Sequence, residues 1–194
     1  AVFYELVADA DVVIEGFRPG VAERLGVDHE SVREHNPEVV YCSLSGYGQT
    51  GPYRDRVGHD LNYASVAGLV DMTRSRADGP PAIPGYPIGD MAGGAFAAFS
   101  VVSALLSRAL GNRAGTFVDV SMTDAVLSFA QPVASAAFAG HDPRPRDTEL
   151  TGKRPCYDVY RTADDRYVSI AALEPKFWQN LCEALEHPEL VEHH

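Results

Sequence analysis

The chain has 194 residues, of which 45% are hydrophobic and 22% charged, with a formal net charge of −11. That is room for one substantial domain or a domain and a half, of ordinary soluble composition. The negative balance argues against nucleic acid or an anionic membrane surface as partner, but leaves room for an anionic small molecule held by a local cluster of arginines.

The chain opens on Ala1-Val2-Phe3-Tyr4-Glu5, without an initiator Met, a basic end or a cleavage pattern. It reads as an internal piece of a longer protein and not as a signal peptide. Ala10 to Glu15 is a short β-branched run, expected as a buried parallel strand. Gly16-Phe17-Arg18-Pro19-Gly20 turns the chain at its carboxyl end, and Val21 to Leu25 is a short helix stopped by Gly26. Asp28 or Ser31 caps a further helix running to about His35, before Asn36-Pro37. Val39 to Leu44 is a second buried strand. Strand, helix, strand in this rhythm is an α/β unit with a parallel sheet, whose ligands bind beyond the carboxyl ends of the strands. Those ends are Glu15-Gly16-Phe17-Arg18 and Ser45-Gly46-Tyr47-Gly48.

Residues 49–57 form a polar loop, Asp60 to Val70 is helical in pattern, and residues 74–89 form a long Pro- and Gly-rich loop of the kind that is often functional. Asp90 is expected to open a helix through Leu110. Its most apolar part, Ala92 to Leu106, is broken by glycine and serine, so it reads as a buried helix short of the roughly 20 apolar residues that cross a bilayer. After a turn at Gly111 to Gly115 come a strand, Thr116 to Ser121, and an apolar helix, Met122 to Phe138, interrupted at Pro132. The large domain is thus expected over 1–138, a linker over 139–155, and the start of a small domain over 156–194. The small domain opens with a hairpin around Ala163-Asp164-Asp165 and a helix entered at Pro175. Cys42, Cys156 and Cys182 are odd in number and form no CxxC pair, which argues against a disulfide framework or structural zinc and makes a reducing cytoplasm the default compartment.

Three residues stand out for chemistry. His59, after Gly58 in a loop entering a helix, reads equally as a structural imidazole and as a proton-transfer group. Asp90 reads as an N-cap, and equally as a carboxylate poised by the helix dipole to act as base or nucleophile. Glu174, before Pro175, is by itself a first-turn acid. Arg18 and Arg24, six apart after the first strand, are a modest anion-site signal.

Taken together and in order, Glu15-Gly16-Phe17-Arg18-Pro19-Gly20, Arg24-Leu25-Gly26, Ser43 to Tyr53, Gly58-His59-Asp60, Gly89-Asp90 and Gly115 to Met122 resemble the family III CoA-transferases, the CaiB/BaiF group. The His of Gly-His-Asp and the Glu of Leu173-Glu174-Pro175-Lys176-Phe177-Trp178 look like its α-methylacyl-CoA racemase branch. Several transferases of the group carry a glycine-rich loop before the hairpin, whereas residues 139–155 hold only Gly140 and Gly152. The resemblance implies a Rossmann-like parallel-sheet large domain with a smaller α+β domain, in an interlocked homodimer, and members that extend beyond both ends of this chain. It also implies an acyl-CoA substrate, no permanently bound cofactor and no metal. The implied reaction moves the α-proton of a 2-methyl-branched thioester between two bases, His59 and Asp90. Glu174 would bond His59, and backbone donors at Gly89-Asp90-Met91 would hold the enolate. CoA would lie along Gly16, Phe17, Arg18, Arg24, Gly46, Gly58, His59, Asp60, Leu61, Asn62 and Tyr63. The small residues Ala92, Gly93 and Gly94 would suit an apolar acyl chain. The alternative is a CoA-transferase in which Asp90 forms an acyl anhydride.

Overall fold

The computed structural model describes residues 2–112 and 114–194. Two compact units emerge: the chain up to Val70 with Ile83–Ser135, and Asp71–Ala82 with Ala136–His194.

The first unit is built on three parallel strands, β1 (Val12–Glu15), β2 (Val40–Ser45) and β3 (Thr116–Ser121), in the spatial order β1-β2-β3. Val12 stands opposite Val40, and Val40 opposite Thr116. Helix α1 (Val2–Ala8), which the apolar pattern had not announced, precedes β1; α2 (Val21–Leu25) and α3 (His29–Arg33) follow it. Because strand side chains alternate, Val40 and Cys42 point to one face of β2 and Val39 and Tyr41 to the other. The first pair joins a core with Ala97, Val101 and Ala104, and the second packs with Val7 and Val32. Burial on both faces is why β2 is a continuous apolar run. The expectation of a buried β1 is not met: Ile14 is 60% exposed, because β1 is an edge strand of this sheet.

Helix α3 is shorter than expected, ending at Arg33, but its start is as read: Asp28 accepts the N–H groups of Glu30 (3.1 Å) and Ser31 (3.3 Å). Burial raises the Asp28 pKa, yet the bonds from Ser31 and Glu30 outweigh it and the carboxyl sits below its ordinary value. Asp28→Ala is therefore expected to cost about 1 kcal/mol in a denaturant melt at neutral pH, the usual loss for a helix cap.

The expected helix over 60–70 is two pieces, α4 (Asp60–Val66) and α5 (Leu69–Met72), parted at Gly68 with φ +83°. Helix α6 (Ile88–Ala109) starts two residues before Asp90. It is long and apolar enough, by length and composition, to cross a membrane. Here Ala97, Val101 and Ala104 lie against the sheet. The turn expected at 111–115 contains Arg113, outside the described residues; at its far end Gly115 admits no side chain, since a Cβ would lie 2.6 Å from the Pro37 carbonyl oxygen. The expected helix over 122–138 is α7 (Met122–Phe129) and α8 (Gln131–Phe138); the break falls at Ala130, and Pro132 sits in the first turn of α8, where its missing N–H costs nothing.

The second unit carries the hairpin as read, β4 (Tyr157–Arg161) antiparallel to β5 (Tyr167–Ala171), then α9 (Pro175–Ala184) and a 3₁₀ turn, Pro188–His193. Cys156, Ala172, Trp178 and Cys182 form its core, and the Trp178 indole N–H donates to the Leu190 carbonyl at 2.9 Å. Before the hairpin, the Arg146 guanidinium donates to Asp158 at 2.5 Å and holds that carboxyl below its ordinary value. A depressed carboxylate pKa stabilises the fold above the unfolded value and stops doing so as pH falls through the folded one. The stability gap between the native protein and Asp158→Asn is thus expected to shrink as the pH is taken from 7 to below about 4, read by urea melts at each pH.

Candidate active site

The three strands end at one edge of the sheet, at Glu15, Ser45 and Ser121. Beyond those ends lies a cleft of about 590 Å³. After β1 it is walled by Gly16, Phe17, Arg18 and Pro19, and after β2 by Leu44, Ser45, Gly46 and Tyr47. The loop into α4 contributes Arg54, Arg56, Val57, Gly58 and His59; α4 itself contributes Asn62 and Tyr63, and α7 its first residue, Met122. Ligands of open parallel sheets sit in this position, in the crevice beyond the carboxyl ends of the strands.

Tyr63 organises the wall. Its hydroxyl donates to the Gly58 carbonyl at 2.5 Å, and its ring meets that of Tyr47 edge-on, with centroids 5.1 Å apart. Burial first, then Tyr47 and the negative charge of Asp90, push its pKa up, while Arg18 pulls it down, so the phenol remains a donor. The ring lies so close to Gly46 that a Cβ there would overlap its Cε1 and Cζ and sit 2.7 Å from its oxygen; a Cβ on Gly58 would sit 2.8 Å from Cε1. Both glycines are therefore required by a ring. Gly46 is fixed from behind as well, its carbonyl accepting the Thr123 N–H at 3.0 Å and hydroxyl at 2.8 Å. The following turn is held by Asp119, whose two carboxylate oxygens accept the Gln49 N–H at 3.1 and 3.0 Å.

Three arginines line this cleft in a chain of net charge −11. Arg18 donates to the Asp55 carbonyl at 3.0 Å, Arg54 pairs with the Asp55 carboxylate at 2.9 Å, and Arg56 lies 4.7 Å above the Tyr53 ring. Arg24, expected beside Arg18, is not in the lining; its guanidinium lies over the α2 turn, 3.7 Å from where a Gly20 Cβ would be. Arg54 and Arg56 were missed in the sequence, although Arg54-Asp55-Arg56 just before Gly58-His59 was a readable signal of charge beside the imidazole.

His59 is the N-cap residue of α4, with extended backbone; its N–H donates to the Asn62 side chain at 3.0 Å and its carbonyl accepts the Asn62 N–H at 2.8 Å. That leaves the imidazole at the cleft wall. Asp60 and Leu61 are not in the lining. Asp60 turns instead to α6, where its Oδ1 accepts the Asp90 N–H at 3.0 Å. Asp90 is not a cap: it is the third residue of α6, preceded at the cap by Pro87, and its side chain is exposed. The Met91 N–H is bonded to the Pro87 carbonyl at 3.0 Å. The amides of Asp90 and Met91, expected to hold an enolate, are thus already engaged. The small residues of α6 also serve packing: a Cβ on Gly93 would lie 2.7 Å from Met122 Cγ and 3.1 Å from Leu44 Cδ1. Glu174 belongs to the second unit, where it precedes α9 and its carbonyl accepts the N–H groups of Phe177 (2.8 Å) and Trp178 (3.1 Å).

The family model described as CoA-transferase family III matches residues 1–194. The chain belongs to that family. This family III chain is 34% identical over 203 residues to acetyl-CoA:oxalate CoA-transferase of Acetobacter aceti, covering 98% of the chain and 49% of the relative. It is 33% identical over 188 residues to α-methylacyl-CoA racemase of Homo sapiens, covering 95% and 48%. A solved CaiB/BaiF family protein from Brucella suis matches with a TM-score of 0.82 at 29% identity, over 98% of this chain and 50% of that one. The family III chain spans about half the length of the curated relatives it matches. Racemase and transferase stand side by side among those relatives, so membership of the family does not choose between them.

Proposed function

We propose that this family III chain carries the catalytic half of an acyl-CoA racemase acting on a 2-methyl-branched thioester. The observation that carries the reading is the company of His59: an imidazole on the wall of a cleft that also holds Arg18, Arg54 and Arg56. The guanidiniums suit the phosphates of CoA, because each presents a rigid fork of donors to an anion. The thioester acidifies the α-C–H. One base takes that proton, the C–H electron pair moves into an enolate, and the conjugate acid of a second base returns a proton to the opposite face. His59 and Asp90 are the two bases in this reading. An apolar stripe on α6, Phe99, Val102 and Leu106, faces outward and supports the homodimer that the family resemblance implies.

A second reading is favoured by the exposed Asp90 carboxylate and by the transferase relatives. Asp90 attacks the thioester carbonyl, the CoA thiolate leaves, and an acyl-aspartyl anhydride forms. The thiolate then attacks the aspartyl carbonyl of that anhydride, releasing the first acid and leaving CoA on Asp90 for transfer to the second acid.

The deciding experiment uses a chain of the relatives' full length that contains this sequence. A (2R)-2-methylacyl-CoA is incubated in D2O without an acceptor acid, and the α-carbon is followed by NMR. Deuterium uptake with formation of the other epimer supports the racemase. No uptake, with CoA passing to an added carboxylic acid, overturns it in favour of the transferase.

A further inference from the structure

The two candidate bases belong to different helices, yet one side chain spans them. His59 is the residue before α4, and Asp60 is the first residue of that helix. The Asp60 Oδ1 accepts the Asp90 N–H at 3.0 Å, so the path from His59 to Asp90 is a single covalent step and one hydrogen bond. The approach is close along its whole width. A Cβ on Gly89 would lie 2.9 Å from the Asp60 Oδ1 and 3.4 Å from the Asp60 carbonyl oxygen. Gly89 is itself buried, so the glycine is what lets α6 start against α4. Pro87 precedes α6 and has no side-chain acceptor to offer the first turn. Asp60 supplies that acceptor from the neighbouring helix, at the end of α6 where a carboxylate is electrostatically favoured.

We infer that Asp60 is a positioning residue: its side chain fixes Asp90 relative to His59, through the Asp90 amide, and takes no proton or electron pair in the reaction. This inference rests on the reading of His59 and Asp90 as the reacting pair. Proton transfer and nucleophilic attack both depend on placement, and a displacement of about 1 Å is enough to cost about 100-fold in rate.

Geometry and charge predict opposite rankings of two variants. Asp60→Asn keeps an oxygen acceptor at the same distance and loses the charge. Asp60→Glu keeps the charge and moves the acceptor by one methylene. Positioning predicts that Asp60→Asn retains kcat within about tenfold while Asp60→Glu and Asp60→Ala lose about 100-fold, with KM for the acyl-CoA changing far less than kcat. The readout is α-proton exchange and CoA transfer, each measured on the full-length chain, beside hydrogen exchange of the Asp90 amide. That amide is expected to exchange at least about tenfold faster in Asp60→Ala and Asp60→Glu than in the native protein or in Asp60→Asn, the loss expected when one protecting hydrogen bond worth about 1.4 kcal/mol is removed. Equal loss in Asp60→Asn and Asp60→Glu, a better Asp60→Glu, or an unchanged Asp90 amide in Asp60→Ala would each overturn the inference. If the native protein performs neither reaction, the functional reading fails on that result alone, and the amide exchange still decides whether Asp60 holds Asp90.

Discussion

His59→Ala is expected to lower α-deuterium exchange by about 10²- to 10⁴-fold, the range supplied by one positioned acid or base. An imidazole is the side chain most often used to carry a proton to or from a reacting carbon. In the structure it is carried at the start of α4, where the His59 N–H donates to the Asn62 side chain and the His59 carbonyl accepts the Asn62 N–H. The arginines that suit the CoA phosphates lie on other segments, after β1 and in the loop before Gly58. Binding of CoA, measured by calorimetry, is therefore expected to change little in His59→Ala. Asp90→Asn is expected to lose formation of the other epimer by a similar factor, since two bases on opposite faces are needed for inversion. The pair of results separates the two chemistries. A His59→Ala variant that forms the other epimer at the native rate sinks the racemase reading. One that still transfers CoA while Asp90→Asn does not would assign the nucleophile to Asp90.

The second large effect is at Gly46. Gly46→Ala drives a methyl group into the Tyr63 ring, which has little freedom to yield: its hydroxyl is held by the Gly58 carbonyl and its edge by Tyr47. Retreat of Gly46 is blocked from behind by the two bonds its carbonyl accepts from Thr123. Overpacking of this kind costs about 1–3 kcal/mol. In a chain of this size each kcal/mol lowers Tm by about 2–4 °C. Under the proposed function, weaker CoA binding is expected as well, because both Gly46 and Tyr63 wall the cleft. A double-mutant cycle tests the mechanism: on a Tyr63→Ala background, Gly46→Ala is expected to be much less destabilising, since the ring it strikes is gone. Additive effects of the two substitutions would show that the strain lies elsewhere.

Local chemistry announced the ends of most elements. Asp28 announces α3, Gly26 closes α2, and Pro175 opens α9, because caps and fixed-φ residues act on backbone groups within four positions of themselves. The runs Val39 to Leu44 and Thr116 to Ser121 were legible as strands for a similar reason, since β-branched and aromatic residues gather in each. The family was legible too, because its motifs are contiguous: Gly58-His59-Asp60 and Gly89-Asp90 lie within short stretches of chain.

What the sequence did not disclose depends on which segments meet. A β-branched run reads as buried whether it lies at the centre or the edge of a sheet, and Ile14 of β1 proved to be at the edge. Arg24 and Arg54 carry the same charge at similar distances from strand ends, but only the loop path after Gly48 brings Arg54 and Arg56 to the cleft. Asp90 followed a loop and had every local mark of a cap, while the acceptor for the start of α6 comes from Asp60, thirty residues earlier in the chain. The residue types available for chemistry were thus determined by the sequence alone. Which of them share a cleft, and why Gly46 and Gly89 must stay bare, was decided by the packing of α4 against α6 and the sheet, a non-local contact that no window of neighbouring residues contains.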